Sequence, residues 1–385
     1  MAITFTGITL GSGISCGPPP PLTLYAWGYN ANGSLGLNDV VSRSSPVQLG
    51  ATGSSTWASM SNTSNPQTGG VKTDGTLWAW GINTVGQLGQ NDLVPRSSPT
   101  QVGSLATWSN TVVGNSGQLA VKTDGTLWSW GFNLFGQLGL NDTNYRSSPV
   151  QIGALTNWSS KLAAFGGNSS GAAQNYFAIK NNGTLWAWGN TGFGLGDNTV
   201  IKRSSPVQIG TDTNWNQIFG GDVTMAVRTD GTLWVWGGNY NGSLGLNLGL
   251  AYRSSPVQVG LLTDWLNCKT TPNSQSNNML VLKSNGTLWT WGNNSDGQLG
   301  LNDTVYRSSP VQIGSGTTWL ALAWTYRSGL AAKADGTLWS WGKNSVGQLG
   351  LNNTVNRSSP VQVGGATWTN SVLWGGYGVF VTTSS

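Results

Sequence analysis

The chain has 385 residues and a formal net charge of +5, with 57 Gly and 22 Trp but only 8% charged residues, where an average globular protein has about 25%. That aromatic content excludes a disordered chain, Gly without a triplet period excludes collagen, and no apolar run reaches the length of a membrane span. His and Glu are absent, which removes Ser-His-Asp and Cys-His catalysis, His-ligated zinc and haem, and the usual general base near neutrality. The composition therefore predicts a protein that is not an enzyme and has no cofactor.

In chain order, residues 1–21 stand apart as an arm. Ile3, Phe5, Ile8 and Leu10 alternate with Thr and Gly in a strand-like pattern, and Pro18 to Pro21 form a stiff spacer. No basic segment precedes the apolar residues, as a secretory signal would require. The arm is expected to anchor the chain by adding a strand to a partner.

From residue 22 onward the sequence repeats. A segment W-G-x-N-x-x-G-x-L-G starts at Trp27, Trp80, Trp130, Trp236, Trp291 and Trp341, with a shortened copy at Trp188. Each copy leads to Arg-Ser-Ser-Pro, at Arg43, Arg96, Arg146, Arg203, Arg253, Arg307 and Arg357, and then to an isolated Trp. Before six of the copies two short β-prone runs flank Asp-Gly or Asn-Gly, such as Asp124-Gly125 and Asn182-Gly183, the pairs suited to positive φ in a tight hairpin. In the second run Trp128 and Trp130 share one face and Leu127 takes the other, so both faces are apolar and the sheet is expected between two neighbours. The Ser-Pro-Val-Gln and isolated-Trp segments supply two more strands, giving the size of a propeller blade. The first copy lacks its leading hairpin strand, and the segment from Tyr377 to Thr383 matches that missing strand. The two termini are thus expected to complete one blade together.

The strings D-G-T-L-W-x-W-G-x-N-x-x-G-Q-L-G, as from Asp124 to Gly139 and from Asp335 to Gly350, with the Pro that follows at Pro149 and Pro360, resemble the regulator of chromosome condensation repeat family. The resemblance covers about residues 22–383 and implies an all-β, seven-bladed β-propeller at 22–385 behind the arm at 1–21. It says less about function, because a propeller is a scaffold with many uses.

Thirteen of the 18 basic residues occupy repeated positions, seven opening Arg-Ser-Ser-Pro and six closing the first hairpin strand. They are distributed around the ring instead of gathered in a stripe, which argues against nucleic acid. The seven Arg could bind an anion, but Asp39, Asp92, Asp142 and Asp303 lie close in sequence and predict pairing within each blade. Asn353 replaces Asp in the last copy, and ligand density in these loops is too low to predict calcium or another metal. Asp197, Asp212, Asp222, Asp264 and Asp296 fall outside the repeated positions. Cys16 and Cys268 are expected as independent thiols.

The irregular loops between each isolated Trp and the next hairpin (62–70, 166–176, 271–278, 324–328 and 374–377) should cluster on one face, where binding residues on rigid scaffolds concentrate. Trp324, Tyr326, Arg327, Trp374, Tyr377 and Tyr176 are the candidate contacts, the alternative being that Trp324 and Trp374 fill blade cores. The leading expectation is a virion structural or adhesion component: a tail fibre, decoration or host-attachment protein. The arm resembles the N-termini of some tailed-phage structural proteins. It would dock to other virion proteins, while the loops meet a host surface protein or glycan without membrane insertion. Two alternatives place the chain in the cytoplasm or outside the cell. One, implied by the family resemblance, is a regulatory propeller of the small-GTPase exchange or chromatin-binding type, although the family's Gly-x-x-His segment has no His here. The other is a secreted enzyme inhibitor or lectin-like binder.

Overall fold

The structure, a computed structural model, describes residues 22–49, 57–62, 66–166, 174–190, 193–249, 251–270, 278–325, 327–365, 368, 373–375 and 378–384. The arm residues Ile3, Phe5, Ile8 and Leu10, and Cys16, lie outside them. Among the described residues the strands form seven four-stranded antiparallel sheets. A representative blade contains β7 (Trp108–Val113), β8 (Gly117–Lys122), β9 (Leu127–Gly131) and β10 (Arg146–Gln151) in that spatial order. Its hairpin turns at Asp124-Gly125: Gly125 has φ +77°, and the Asp124 carboxylate accepts from the Thr126 N–H at 2.9 Å and from its hydroxyl at 2.7 Å. That chemistry explains why Asp-Gly-Thr recurs where the chain must reverse.

The isolated-Trp strands touch one another from blade to blade and form the inner wall of the ring. β7 contacts its equivalents at Trp57–Asn62 and Trp158–Gly166, and the series closes between Leu373–Gly375 and Trp57–Asn62. The Arg-Ser-Ser-Pro strands are outermost and only half-buried, so Pro at an outer edge removes no ladder hydrogen bond that another strand needs. Both faces of the middle strands are covered, as the apolar pattern predicts: Leu127 and Trp130 are each 0% exposed.

The first and last strands complete one blade, as expected. β1 (Leu22–Gly28) pairs antiparallel with β28 (Gly378–Ser384) over seven registered positions, from Leu22 opposite Ser384 to Gly28 opposite Gly378. β2 (Arg43–Gln48) and β27 (Leu373–Gly375) flank them, outside and inside. Closure leaves no unpaired middle strand as an aggregation edge.

A second device ties neighbouring blades. In each copy the Asn after L-G-L, L-G-Q or L-G-D (Asn38, Asn91, Asn141, Asn198, Asn247, Asn302 and Asn352) has φ between +51° and +63°. Its N–H donates to the carbonyl of the second residue in the next blade's Arg-Ser-Ser-Pro, at 2.7–2.9 Å, and Asn352 closes the circle on Ser44. Asn is favoured there because it tolerates the left-handed region better than other residues with a Cβ. Asn141→Ala should therefore destabilise the ring by about 1 kcal/mol, and Asn141→Gly by less than the alanine; chemical denaturation of both variants checks the order.

Indole groups add a third tie. Trp27, Trp80, Trp130, Trp236, Trp291 and Trp341 are fully buried, and each donates its Nε1–H to a carbonyl of the preceding blade's loop at 2.8–3.1 Å. The motif that marks the repeat in sequence is thus the interface between repeats.

Candidate interaction surface

Strand polarity divides the ring into two faces. The Asp-Gly hairpins and the links from outer strand to next inner strand fall on one. The loops from inner strand to hairpin, and the long W-G-x-N loops, fall together on the other. An ion pair fixes that relation: Arg327, in an inner loop, reaches Asp296, in the long loop of the preceding blade, at 2.9 Å.

The hairpin face holds its repeated cations over its own Trp rings, and three of its links expose Leu105, Leu155, Leu261 and Leu262. Lys72 Nζ lies 3.7 Å from the ring centroid of Trp78 and 5.4 Å from that of Trp57. Lys122, Lys180, Arg228, Lys283 and Lys333 sit over equivalent Trp pairs. The second set of repeated cations is therefore spent on internal cation–π contacts.

The long-loop face presents a rim built to one plan. In a representative blade the Asn133 side chain accepts from the Leu138 N–H at 2.8 Å and donates to Asp142, whose Oδ2 receives Arg146 Nη2 at 2.6 Å. The same pair joins Arg43 to Asp39, Arg96 to Asp92 and Arg307 to Asp303 at 2.5–2.6 Å, so the predicted pairing within each blade holds in these copies. The Val94 amide, opposed by burial and helped by Arg96 and Asn83, holds the Asp92 carboxyl below the ordinary carboxylate value. Asp197 departs from its expected place outside the pattern: the shortened fourth copy moves the acid, and Asp197 takes Arg203 at 2.6 Å with 6% of its side chain exposed.

Between the acid and the arginine each loop exposes apolar side chains. Val40 and Val41, Leu93 and Val94, Tyr145, Val200 and Ile201, Leu248 and Tyr252, Val305 and Tyr306, and Val355 are each 46–59% exposed. Single exposed apolar residues are ordinary, but their recurrence around one rim is a surface feature. Sequence reading missed it. The signal was present as an apolar pair before most of the arginines.

The predicted contact residues scatter. Trp324 is 2% exposed and packs in a core cluster with Trp319 and Trp341, so the alternative of a core-filling side chain is the one realised for it. Tyr176 is 0% exposed, stacks on Trp188 with centroids 6.0 Å apart and accepts a hydrogen bond from Gln174 at 2.7 Å. It belongs to the middle strand Gln174–Lys180, and neither side chain stands in a binding loop. Trp374 lies in β27. Tyr326 and Tyr377 fall outside the described residues. Arg327, at φ +57°, remains on the face in its pair with Asp296. Cys268 is a buried thiol in a core cluster.

One acid on this face behaves differently. Asp222, in the inner loop of the blade that starts at Trp215, is held up at about 6 by burial. A raised native value favours the protonated form, so its contribution to stability is complete below the ordinary value of 3.8 and is lost as pH rises through 6. Asp222→Asn should remove that loss and make the protein more stable at pH 7.5 by up to about 3 kcal/mol, while changing little at pH 4. Urea unfolding of both proteins at the two pH values checks it.

A seven-sheet ring closed by its termini, with W-G-x-N loops clasping successive blades, matches the regulator of chromosome condensation (RCC1) repeat over residues 23–62, 74–121, 124–173, 285–320 and 335–376, more than half of the chain. The chain belongs to the RCC1 repeat family. The unmatched stretch between residues 174 and 284 folds into blades of the same plan. Among solved structures, the RCC1-like fold is shared with human WBSCR16, at 20% identity over 94% of this chain and 99% of that one, with a TM-score of 0.80. Prp20p from Saccharomyces cerevisiae superposes with a TM-score of 0.78 at 18% identity, covering 94% of this chain and 91% of that one. That structure is described together with its binding to Gsp1p and histones. Yeast RCC1 (Prp20) bound to Kap60 gives a TM-score of 0.78 at 16% identity, covering 95% and 89%. At these identities the likeness is one of fold.

Proposed function

We propose that this RCC1-repeat propeller is a non-catalytic, regulatory interaction protein that engages a protein partner through its long-loop face. The observation that carries this is the rim: each of the seven long loops is tied to the next blade by a backbone hydrogen bond, and every one of them carries exposed apolar side chains. Among the described residues the opposite face exposes Leu105, Leu155, Leu261 and Leu262 in three links only and sets its repeated cations over its own Trp rings. Exposed apolar groups on rigid loops are the chemistry of protein recognition. Family membership supports the same reading, and the yeast relative whose structure is described with Gsp1p and histones is an example of a propeller of this fold that binds other proteins. The virion expectation rested on the near-identical repeats, the low charge, the polar loops and the arm; the arm residues Ile3, Phe5, Ile8 and Leu10 lie outside the described residues, and the structural relatives named above add no support to it.

Cross-linking mass spectrometry of the affinity-purified chain tests the reading. Cross-links from Lys202 and Lys343, on the long-loop face, to one soluble protein are expected. Partner cross-links confined to Lys72, Lys122 and Lys333, on the hairpin face, would overturn it. A partner that proves to be a small GTPase is then assayed for accelerated nucleotide release, and one recovered only in virus particles returns the virion reading.

A further inference from the structure

Five of the seven rim arginines have an internal counter-ion. Arg253 and Arg357 have none among the described residues. In the last blade Asn353 stands where four other copies have Asp, and it keeps the loop's shape: its Oδ1 accepts from the Val355 N–H at 2.9 Å and from Asn344 Nδ2 at 3.2 Å. Its Nδ2 donates to the Leu351 carbonyl at 3.0 Å, so it offers Arg357 no acceptor. Arg357 Nε is buried without a hydrogen-bond partner. In the blade that starts at Trp215, Leu248 and Gly249 replace the acid, and Arg253 Nη1 donates only to the Tyr252 carbonyl, at 3.2 Å.

These two blades flank a single blade, which starts at Trp265. Together the three form an arc of rim. Along it lie Leu248 and Tyr252, then Val305 and Tyr306, then Val355, each 47–59% exposed. Lys202, on the same face, lies over the Phe135 ring outside this arc. The repeat thus deletes its own carboxylates at two places and keeps the guanidinium at both. We propose that this arc is the docking site for an acidic segment of the protein partner, whose carboxylates replace the missing Asp at Arg253 and Arg357 while its apolar side chains cover the Tyr and Val groups between. The inference rests on the proposed function, because it needs the long-loop face to be the one used. Charge complementarity selects the occupant: a guanidinium without an internal counter-ion gains more from a carboxylate than from an amide, and its planar fork fits one with two bonds. Arg and Tyr together are the residue types that dominate binding energy at interfaces.

The test uses the full chain and two fluorescein-labelled peptides, one alternating Glu with Leu and Tyr, the other with Gln in place of each Glu, titrated by fluorescence anisotropy. The Glu peptide should bind at least about tenfold tighter, with the difference shrinking in high salt. Asn353→Asp supplies Arg357 with an internal counter-ion, and should weaken the Glu peptide by about fivefold without lowering Tm. Asp303→Asn frees Arg307 in the middle of the arc, and should tighten it. Equal binding of the two peptides, no binding of either, or an affinity that neither variant changes would overturn the proposal. A natural partner that still cross-links to the long-loop face of the Asn353→Asp protein as well as to wild type would overturn the acidic arc and leave the proposed function standing.

Discussion

Removing β28 by ending the chain after residue 377 should leave a protein that no longer forms a stable ring. Val379, Phe380 and Val381 are each 0% exposed, and β28 supplies the full register of β1. Burying three such side chains contributes about 6 kcal/mol, a large part of the 5–15 kcal/mol by which domains are usually stable. The loss also spreads, because β1 carries Trp27, whose indole joins the last blade's loop at Gln348, and Phe380 packs edge-on against Trp80 of the following blade. Loss of the cooperative thermal transition, or recovery only as aggregate, is expected. A truncated chain that melts within a few degrees of the full one would mean that β1 and the blade-to-blade clasps suffice for closure.

The second large effect separates two kinds of Trp. Trp130 is fully buried and donates to the Gln87 carbonyl at 3.1 Å, whereas Trp108 is almost as buried but its indole N–H has no acceptor. Trp130→Ala should cost about 3–5 kcal/mol. The phenylalanine variants discriminate further. Trp130→Phe loses volume and also one of the two hydrogen bonds that the buried Gln87 carbonyl accepts, the other coming from Gln67 Nε2 at 2.8 Å, while Trp108→Phe loses volume alone, so the former should be worse by about 1 kcal/mol. Chemical denaturation of both pairs measures it. Equal costs would show that the interblade hydrogen bond contributes nothing net. Five other isolated Trp residues share this state of the indole N–H: Trp57, Trp158, Trp215, Trp265 and Trp319. Their role is packing against the hairpin Trp rings and carrying the cation above them.

The two predictions concern the same physical fact. In a propeller each blade buries its faces only against neighbours, so a motif read as one repeat's signature is the contact between two. Gly89 illustrates it. It has φ +69°, and a Cβ there would come within 2.7 Å of Trp130 Nε1 in the next blade, so this Gly is required both by its own turn and by a side chain some 40 residues on.

Much of this was legible without coordinates because it is local or repetitive. Asp124-Gly125-Thr126 specifies its hairpin through turn geometry and an Asp-to-Thr hydrogen bond. The four-residue spacing of Asp142 and Arg146 brings acid and guanidinium together within one loop. The number of blades follows from counting copies, and closure from the missing first strand and its match at the C-terminus. Exposure was not legible in the same way. Tyr176 and Trp324 look like recognition residues beside irregular loops, yet Tyr176 stands in a middle strand buried throughout and Trp324 packs into a core cluster from an inner strand that also exposes Leu320, and only their neighbours decide that. Asp197 escaped the pattern because the fourth copy is shortened, which moved the acid along the chain without moving it away from its arginine.

The sequence by itself determined the elements, their order and the ring, since strand period, turn chemistry and repeat length each act over a few residues and agree across seven copies. The tertiary structure alone decided which side chains each face exposes and which cations are held over Trp rings. That depends on where Lys and Trp from separate strands converge and on Arg327 meeting Asp296 across a blade boundary. Those are contacts between distant segments, set by the geometry of packing and by no local preference.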